Sequence, residues 1–274
     1  MRLTQNQLNH FREQGYLAIP HFFSSREVKA TQAELNRLHR EGHLRNVATD
    51  GDGKSHSTTK FNLQICPIYH KSDFFRAIPF NPKVIETVTQ LIGDRIIEHL
   101  DQIFLKPPRC GSPTNWHQDN AYFKIEDPLC GTAMWVAIHD ATVANGTIRV
   151  IPGSHREIYE HGRDADSDHH IRCYPPEGRA VSIELPAGGV VFFCYGTAHA
   201  TGPNRTDKAR AGLAVHFLHT DYAKPDLVDE NRTTRPYLVG PEATGGLKEY
   251  GVKVEGTWEQ EVAHALAGAQ ASVN

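Results

Sequence analysis

The chain has 274 residues, 39% of them hydrophobic and 22% charged, with a net charge of −3. That length can bury a substantial core without disulfides, and the charge balance gives no electrostatic reason to expect a nucleic-acid or membrane partner. No apolar run approaches the ~20 residues that span a bilayer, residues 1–11 lack the apolar stretch of a signal peptide, and five scattered cysteines without a CxxC read as reduced thiols in a cytoplasm.

From the N-terminus, Thr4 and Gln7 form a capping-box pattern, Leu8 and Phe11 share a helix face, and Gly15 suits the end of that helix. Residues 16–20 (YLAIP) then read as a short strand. A second helix is expected from Ser25, with Val28, Leu35 and Leu38 on one stripe and Gly42 to end it. Residues 43–58 are polar and glycine-bearing, which suits a mobile loop, either a lid or plain surface. A third helix is signalled by Asn81 as cap and Pro82 in the first turn. Val84, Ile85, Val88, Leu91 and Ile92 follow, with Gly93 at the end.

Beyond residue 95 the pattern changes. RIIEHLDQIFLK, TAMWVAIHDATV, TIRVIPG, AVSIELPAGG, VVFFCYG and AGLAVHFLHT are short apolar runs between Gly/Pro/Asn punctuation. They predict strands of a sandwich or jelly roll. The expected fold is mainly β with packed helices, as one domain. A helical N-terminal layer (1–94) lies on a double-stranded β-helix, cupin-like core (95–220), followed by an extension (221–274). In that extension, EQEVAHALAGAQ predicts a short helix, and the last residues are expected to be disordered.

The 17 histidines outnumber any single metal site. The informative stretch is NWHQD. In a strand, His117 and Asp119 point to one face, and a further imidazole, His199, ends another strand run 80 residues after Asp119. Two imidazoles and one carboxylate on one face of an octahedral metal leave three positions open, as in non-haem Fe(II) oxygenases. Arg210 lies 11 residues after His199, so a turn between adjacent strands would bring it back beside that histidine. It reads either as a clamp for a carboxylate or as an ordinary strand-edge charge, with Arg205 as a rival clamp.

WHQD, WVAIHDATVANGTIRVIPGSH and HATGPNRTDKARAGLAVHF resemble the motifs of the phytanoyl-CoA dioxygenase family, and the resemblance runs from about residue 8 to about residue 220. It implies a double-stranded β-helix and hydroxylation dependent on Fe(II), 2-oxoglutarate and O₂. By motif position, His117, Asp119 and His199 would hold iron, and Arg210 would pair with the distal carboxylate of 2-oxoglutarate, helped by Thr201. Gln118 and Trp135 would line the same pocket; Gln102, Gln64 and Asn62 align with positions that contact the cosubstrate, and Lys60 is another candidate. Trp135 reads equally as core. Asn145-Gly146 reads as a hairpin turn, and His155 as part of a turn rather than a ligand. His139, His216 and His219 read as core or supporting groups. His169 and His170, in a polar insertion, are candidates for substrate contact, as are Tyr122 and Phe123.

An aspartate in the HxD motif disfavours halogenation, because it takes the position a halide would need. Cyclisation, desaturation and epimerisation remain open alongside hydroxylation. The expected partner is a small polar or sugar-containing metabolite rather than a CoA thioester, and the expected assembly is a monomer or homodimer. The competing class is a cupin-like binding module without turnover.

Overall fold

A computed structural model of the chain describes residues 1–224 and 235–271. The expected disorder at the extreme C-terminus lies outside the described residues. The helices start where the caps are. Thr4 and Gln7 close a full capping box on α1 (Gln5–Gln14), with Gly15 in the left-handed region at its end. Ser24 and Glu27 do the same for α2 (Ser25–Arg40). A short α3 (Asp73–Ala77) precedes α4 (Pro82–Ile92), which Asn81 caps. The expected C-terminal helix spans Trp258–Ala271. Among the described residues, no helix is long and apolar enough to cross a membrane.

The strands, in chain order, are β1 (Tyr16–Ile19), β2 (Arg45–Asn46), β3 (Leu63–Ile65), β4 (Ile96–Lys106), β5 (Thr114–His117), β6 (Gly131–Ala137) and β7 (Ile148–Val150). They continue with β8 (Gly162–Arg163), β9 (Ile171–Arg172), β10 (Val181–Ser182), β11 (Val190–Cys194), β12 (His199–Thr201), β13 (Arg210–His219) and β14 (Tyr237–Val239). The larger sheet runs β1-β11-β6-β13-β4-β3-β2, with β14 also on β4, and the smaller runs β10-β7-β12-β5. Among the described residues, the strand pairings within these two sheets are antiparallel, as a jelly roll requires. The N-terminal layer is less purely helical than expected, since β1, β2 and β3 extend the larger sheet at both edges.

Alternation along the strands decides what each face does. Outward residues of the larger sheet (Ile103, Leu105, Met134, Val136, Phe192, Leu213, Val215, Phe217) pack under Phe11, Leu35, Leu38, Val88 and Trp258 of the helices. Inward residues (Ala133, Trp135, Val191, Phe193, Ala214) meet Ile148, Val150, Ile183 and Leu185 from the opposing side. A bulge between His216 and Phe217 on the β4 side breaks the register. One end of this inner layer is apolar and filled, and the site occupies the rest.

The segment expected to be mobile, 43–58, is tied down. It pairs with the loop between β8 and β9 through Thr49 N to Asp166 O (3.1 Å), Gly53 N to Ala165 O (2.8 Å) and Asp168 N to Val47 O (3.1 Å). Side chains reinforce this, with Arg45 2.5 Å and His56 3.1 Å from Asp168.

Candidate metal centre

β5 and β12 are neighbours in the smaller sheet, and their register sets His117 directly opposite His199. Both rings point inward. Asp119 lies just past the end of β5, in the turn that starts the short helix α5 (Asn120–Phe123), and its carboxylate comes back toward the two rings. Oδ1 of Asp119 is 3.7 Å from Nε2 of His117 and 3.8 Å from Nε2 of His199. One donor atom from each of the three lies within 4.8 Å of the others, the only such group found among the described residues.

The second nitrogen of each ring fixes its role. Nδ1 of His117 lies 2.8 Å from the Asn115 carbonyl, and Nδ1 of His199 lies 3.0 Å from the Thr197 carbonyl. A carbonyl only accepts, so Nδ1 donates and Nε2 keeps its lone pair for the centre. Burial pulls both imidazoles down to about 4, His117 also through the nearby His199, so they stay neutral, the form that ligates a metal. Burial pushes Asp119 up to about 6, and a cation at the centre would oppose that shift. Oδ2 of Asp119 has no hydrogen-bond partner. It faces Nδ1 of His216 at 3.5 Å, too far for a formed bond, and both nitrogens of that buried ring are unpaired. Buried polar atoms left open in this way fit a site completed by a ligand.

The cluster opens onto a cavity between the sheets, lined by Gln102, Phe104, Trp135, Phe193, Ala214 and His216 on one side and by Thr114, Ile148, Ala200 and Thr201 on the other. His170 closes a further side, its ring nearly parallel to that of His117 with centroids 6.1 Å apart. The enclosed volume is about 60 Å³, against roughly 300–1,000 Å³ for ordinary ligand pockets.

Arg210 starts β13 and is fully buried. Its guanidinium donates to the Gly146 carbonyl, leaves Nε without a partner and sits 5.5 Å from the Trp135 ring centre. Burial pulls it down to about 9. Two glycines make room for this arrangement. Gly146 has φ +85°, and a Cβ there would meet the Gly202 carbonyl oxygen at 2.1 Å; a Cβ on Gly212 would strike the Trp135 ring at 2.6 Å. The Asn-Gly turn thus presents the carbonyl that orients Arg210. Arg205 is exposed.

The other expected site residues divide. Thr201, Trp135 and Gln102 line the cavity. Gln64 stands behind Gln102, donating to its Oε1 at 3.0 Å, and also meets His169. Asn62 is buried and donates to Thr114 Oγ1 at 3.2 Å, so it supports the wall without lining it. Lys60 is exposed. Gln118 is turned away from the cavity. Strand alternation sends its carboxamide to the opposite side from His117, where it donates to the carbonyls of Glu157 (2.8 Å) and Gly196 (2.6 Å) and accepts from Tyr159 N at 3.2 Å. His139 accepts from Ala211 N at 3.1 Å. Tyr122 stands beside His117, with ring centroids 6.2 Å apart, and Phe123 packs on His99, Tyr195 and His216. Lys106 went unnoticed in the sequence; its signal was the i, i+2 alternation Gln102, Phe104, Lys106.

Fold and cluster together define a jelly-roll protein with two imidazoles and one carboxylate converging between its sheets. The chain belongs to the phytanoyl-CoA dioxygenase (PhyH) family, which matches residues 11–212. It is 25% identical over 265 residues to the ectoine dioxygenase of Stutzerimonas stutzeri, covering 85% of each chain. Among solved structures it is similar to the non-heme alpha ketoglutarate dependent carbocyclase SnoK from nogalamycin biosynthesis, with TM-score 0.67, 22% identity, and 89% of this chain and 90% of that one covered. It is also similar to the epimerase SnoN in complex with Fe3+, alpha ketoglutarate and nogalamycin RO, with TM-score 0.66, 21% identity and 85% of each chain covered.

Proposed function

We propose that this protein is a non-haem Fe(II)- and 2-oxoglutarate-dependent dioxygenase that hydroxylates an unactivated C–H of a small polar metabolite. The observation that carries this reading is the pairing of the His117–Asp119–His199 cluster with a fully buried arginine that has no carboxylate partner among the described residues. His117, Asp119 and His199 would hold the iron, the two imidazoles through the Nε2 atoms that their backbone hydrogen bonds leave free. Arg210, with the Thr201 hydroxyl on the same wall, takes the distal carboxylate of 2-oxoglutarate. Bound iron supplies the activation of O₂, coupled to decarboxylation of the cosubstrate to succinate and CO₂.

The chain's own groups do the rest. Trp135 and Phe193 keep water from the distal end of the cavity. Gln102 is held by Gln64, so its amide is oriented before any ligand arrives. His170, kept neutral by burial, offers a hydrogen bond to a substrate hydroxyl. A neutral, hydroxyl-bearing substrate suits these groups, and the relatives named for a carbocyclase and an epimerase mark ring closure and epimerisation as outcomes the same site could support. All five cysteines are free, which supports action in a reducing cytoplasm.

The test is aerobic incubation with Fe(II), 2-oxoglutarate and a panel of polyhydroxylated metabolites, following succinate and product mass. The reading predicts iron-dependent succinate formation stimulated by the substrate, with products that gain one oxygen atom and no chlorine in excess chloride. Chlorinated product would show that Asp119 leaves the metal during turnover. Absence of any 2-oxoglutarate consumption in iron-loaded protein would favour a binding module.

A further inference from the structure

Two cations stand side by side on the inner face of the larger sheet. Lys106 ends β4, Arg210 begins β13, and the two are direct cross-strand partners. The alternation that turns Gln102 and Phe104 into the sandwich turns Lys106 there as well, and Arg210 shares its face with Gly212, Ala214 and His216. Both residues have 0% exposure. The ammonium makes one hydrogen bond, to the Ser112 carbonyl, and the guanidinium makes one, to the Gly146 carbonyl. No ion pair among the described residues includes either of them. Two like charges buried together are strongly unfavourable unless an anion joins them. Arginine cannot escape by losing its proton; Lys106, pushed well below the ordinary lysine range by burial and by Arg210, can, and a bound negative group would return that proton to it.

We propose that Lys106 is the second cation of an anion seat shared with Arg210, and that the pair selects 2-oxo acids bearing a distal carboxylate over 2-oxo monoacids. This rests on the cosubstrate reading above. The wall beside the seat is neutral. Thr114 and Thr201 pair across β5 and β12, and the Thr201 hydroxyl accepts from Thr114 N at 3.2 Å. A single guanidinium would balance one carboxylate; the ammonium adds reach from the β4 side and raises the penalty for a ligand with a methyl group in that place. Burial and the charge of Arg210 hold Lys106 well below the ordinary lysine range, and a carboxylate set between the two cations reverses that pressure. Lys106 is a positioning residue: it meets the far end of the ligand, away from the reacting atoms.

The experiment is anaerobic thermal unfolding of the Fe(II)-loaded protein titrated with 2-oxoglutarate or 2-oxobutyrate, for wild type, Lys106→Met, Lys106→Gln and Lys106→Arg. Wild type should be stabilised by 2-oxoglutarate and not by 2-oxobutyrate. Lys106→Met should unfold at the wild-type temperature or higher without ligand, because a buried amine beside Arg210 is replaced by an apolar group, while its apparent Kd for 2-oxoglutarate rises about tenfold or more. Lys106→Gln keeps a donor for Ser112 and should lose affinity alike; Lys106→Arg should restore part of it. The KM for 2-oxoglutarate should rise by a larger factor than turnover at saturating cosubstrate falls. If Lys106→Gln binds 2-oxoglutarate as wild type does, or if the ligand-free protein is destabilised with its 2-oxoglutarate response intact, the lysine only anchors the Ser112 carbonyl and the proposal falls. If Lys106→Met does not fold, the Gln and Arg variants decide. A wild-type protein without any response to 2-oxoglutarate would instead overturn the cosubstrate reading, and the seat with it.

Discussion

The two faces of β4 carry two buried charged clusters with opposite logic. On the outer face, Glu98 and Asp101 share one guanidinium: Arg235 lies 3.3 Å from the first and 3.1 Å from the second, with its head 4.0 Å from the Tyr69 ring centre. Here carboxylates are in excess. Burial, with Asp101 beside it, pushes the Glu98 carboxyl up, so the surplus is relieved by keeping a proton. On the inner face cations are in excess at Lys106 and Arg210, with a cluster of unpaired imidazole and carboxylate atoms nearby. An arginine has no proton to give up at any ordinary pH. A surplus of carboxylate can neutralise itself and be structural; a surplus of arginine has to recruit a ligand. That difference separates a buried ion cluster that holds a fold from one built to bind.

The largest effects should come from the inner face. His117→Ala, Asp119→Ala and His199→Ala should each reduce oxidation to background, since two remaining protein ligands hold a labile metal poorly. Succinate assays on iron-reconstituted variants check this, and wild-type turnover in His199→Ala would move the third ligand to His216. Arg210→Leu should raise the KM for 2-oxoglutarate tens- to thousands-fold, the equivalent of about 2–5 kcal/mol for a desolvated pair that loses its cation. Arg205→Leu, at an exposed position, should change it little. The reverse ranking in steady-state titrations would relocate the clamp.

Gln118→Leu should act on stability and not on cosubstrate binding. It leaves the Glu157 and Gly196 carbonyls without their donor, a loss of about 1–3 kcal/mol for buried groups, with the KM for 2-oxoglutarate nearly unchanged. A raised KM at wild-type stability would put Gln118 back on the cavity wall. The smallest effect belongs to the outer face. The Glu98 carboxyl, raised in the folded state, binds its proton more tightly there than in the unfolded chain. Its contribution is complete below the unfolded value of about 4.3 and is lost as pH rises through the folded one. Glu98→Gln removes that loss, so its unfolding temperature should gain on wild type as pH rises from about 4. A constant difference across the range would contradict the assignment.

Much of this was legible in the sequence because the signals were local. Capping residues at Thr4 and Asn81 marked where two helices begin, and the two-residue spacing of His117 and Asp119 aimed both at one point. Pairing was not local. Nothing in the chain announces that β5 meets β12, and the approach of His216 on β13 to Asp119 past the end of β5 is a tertiary feature. Family motifs supplied Gln118, and the strand geometry of this chain turned it away. Lys106 escaped because a charge next to PP reads as a strand end; only its pairing with Arg210 shows it to be buried. The polar segment 43–58 read as a loop and includes the short strand β2, and its hydrogen bonds to the loop between β8 and β9, which carries His170 to the cavity, come from tertiary contact.

The central claim is that His117, Asp119 and His199 form one iron site that also receives 2-oxoglutarate. Anaerobic calorimetric titration of Fe(II) into metal-free protein, followed by 2-oxoglutarate into the iron complex, tests it most directly. The account predicts one iron per chain, cosubstrate binding that requires the iron, and loss of both in Asp119→Ala. Full iron stoichiometry in Asp119→Ala, or 2-oxoglutarate binding of equal strength with and without metal, would contradict it.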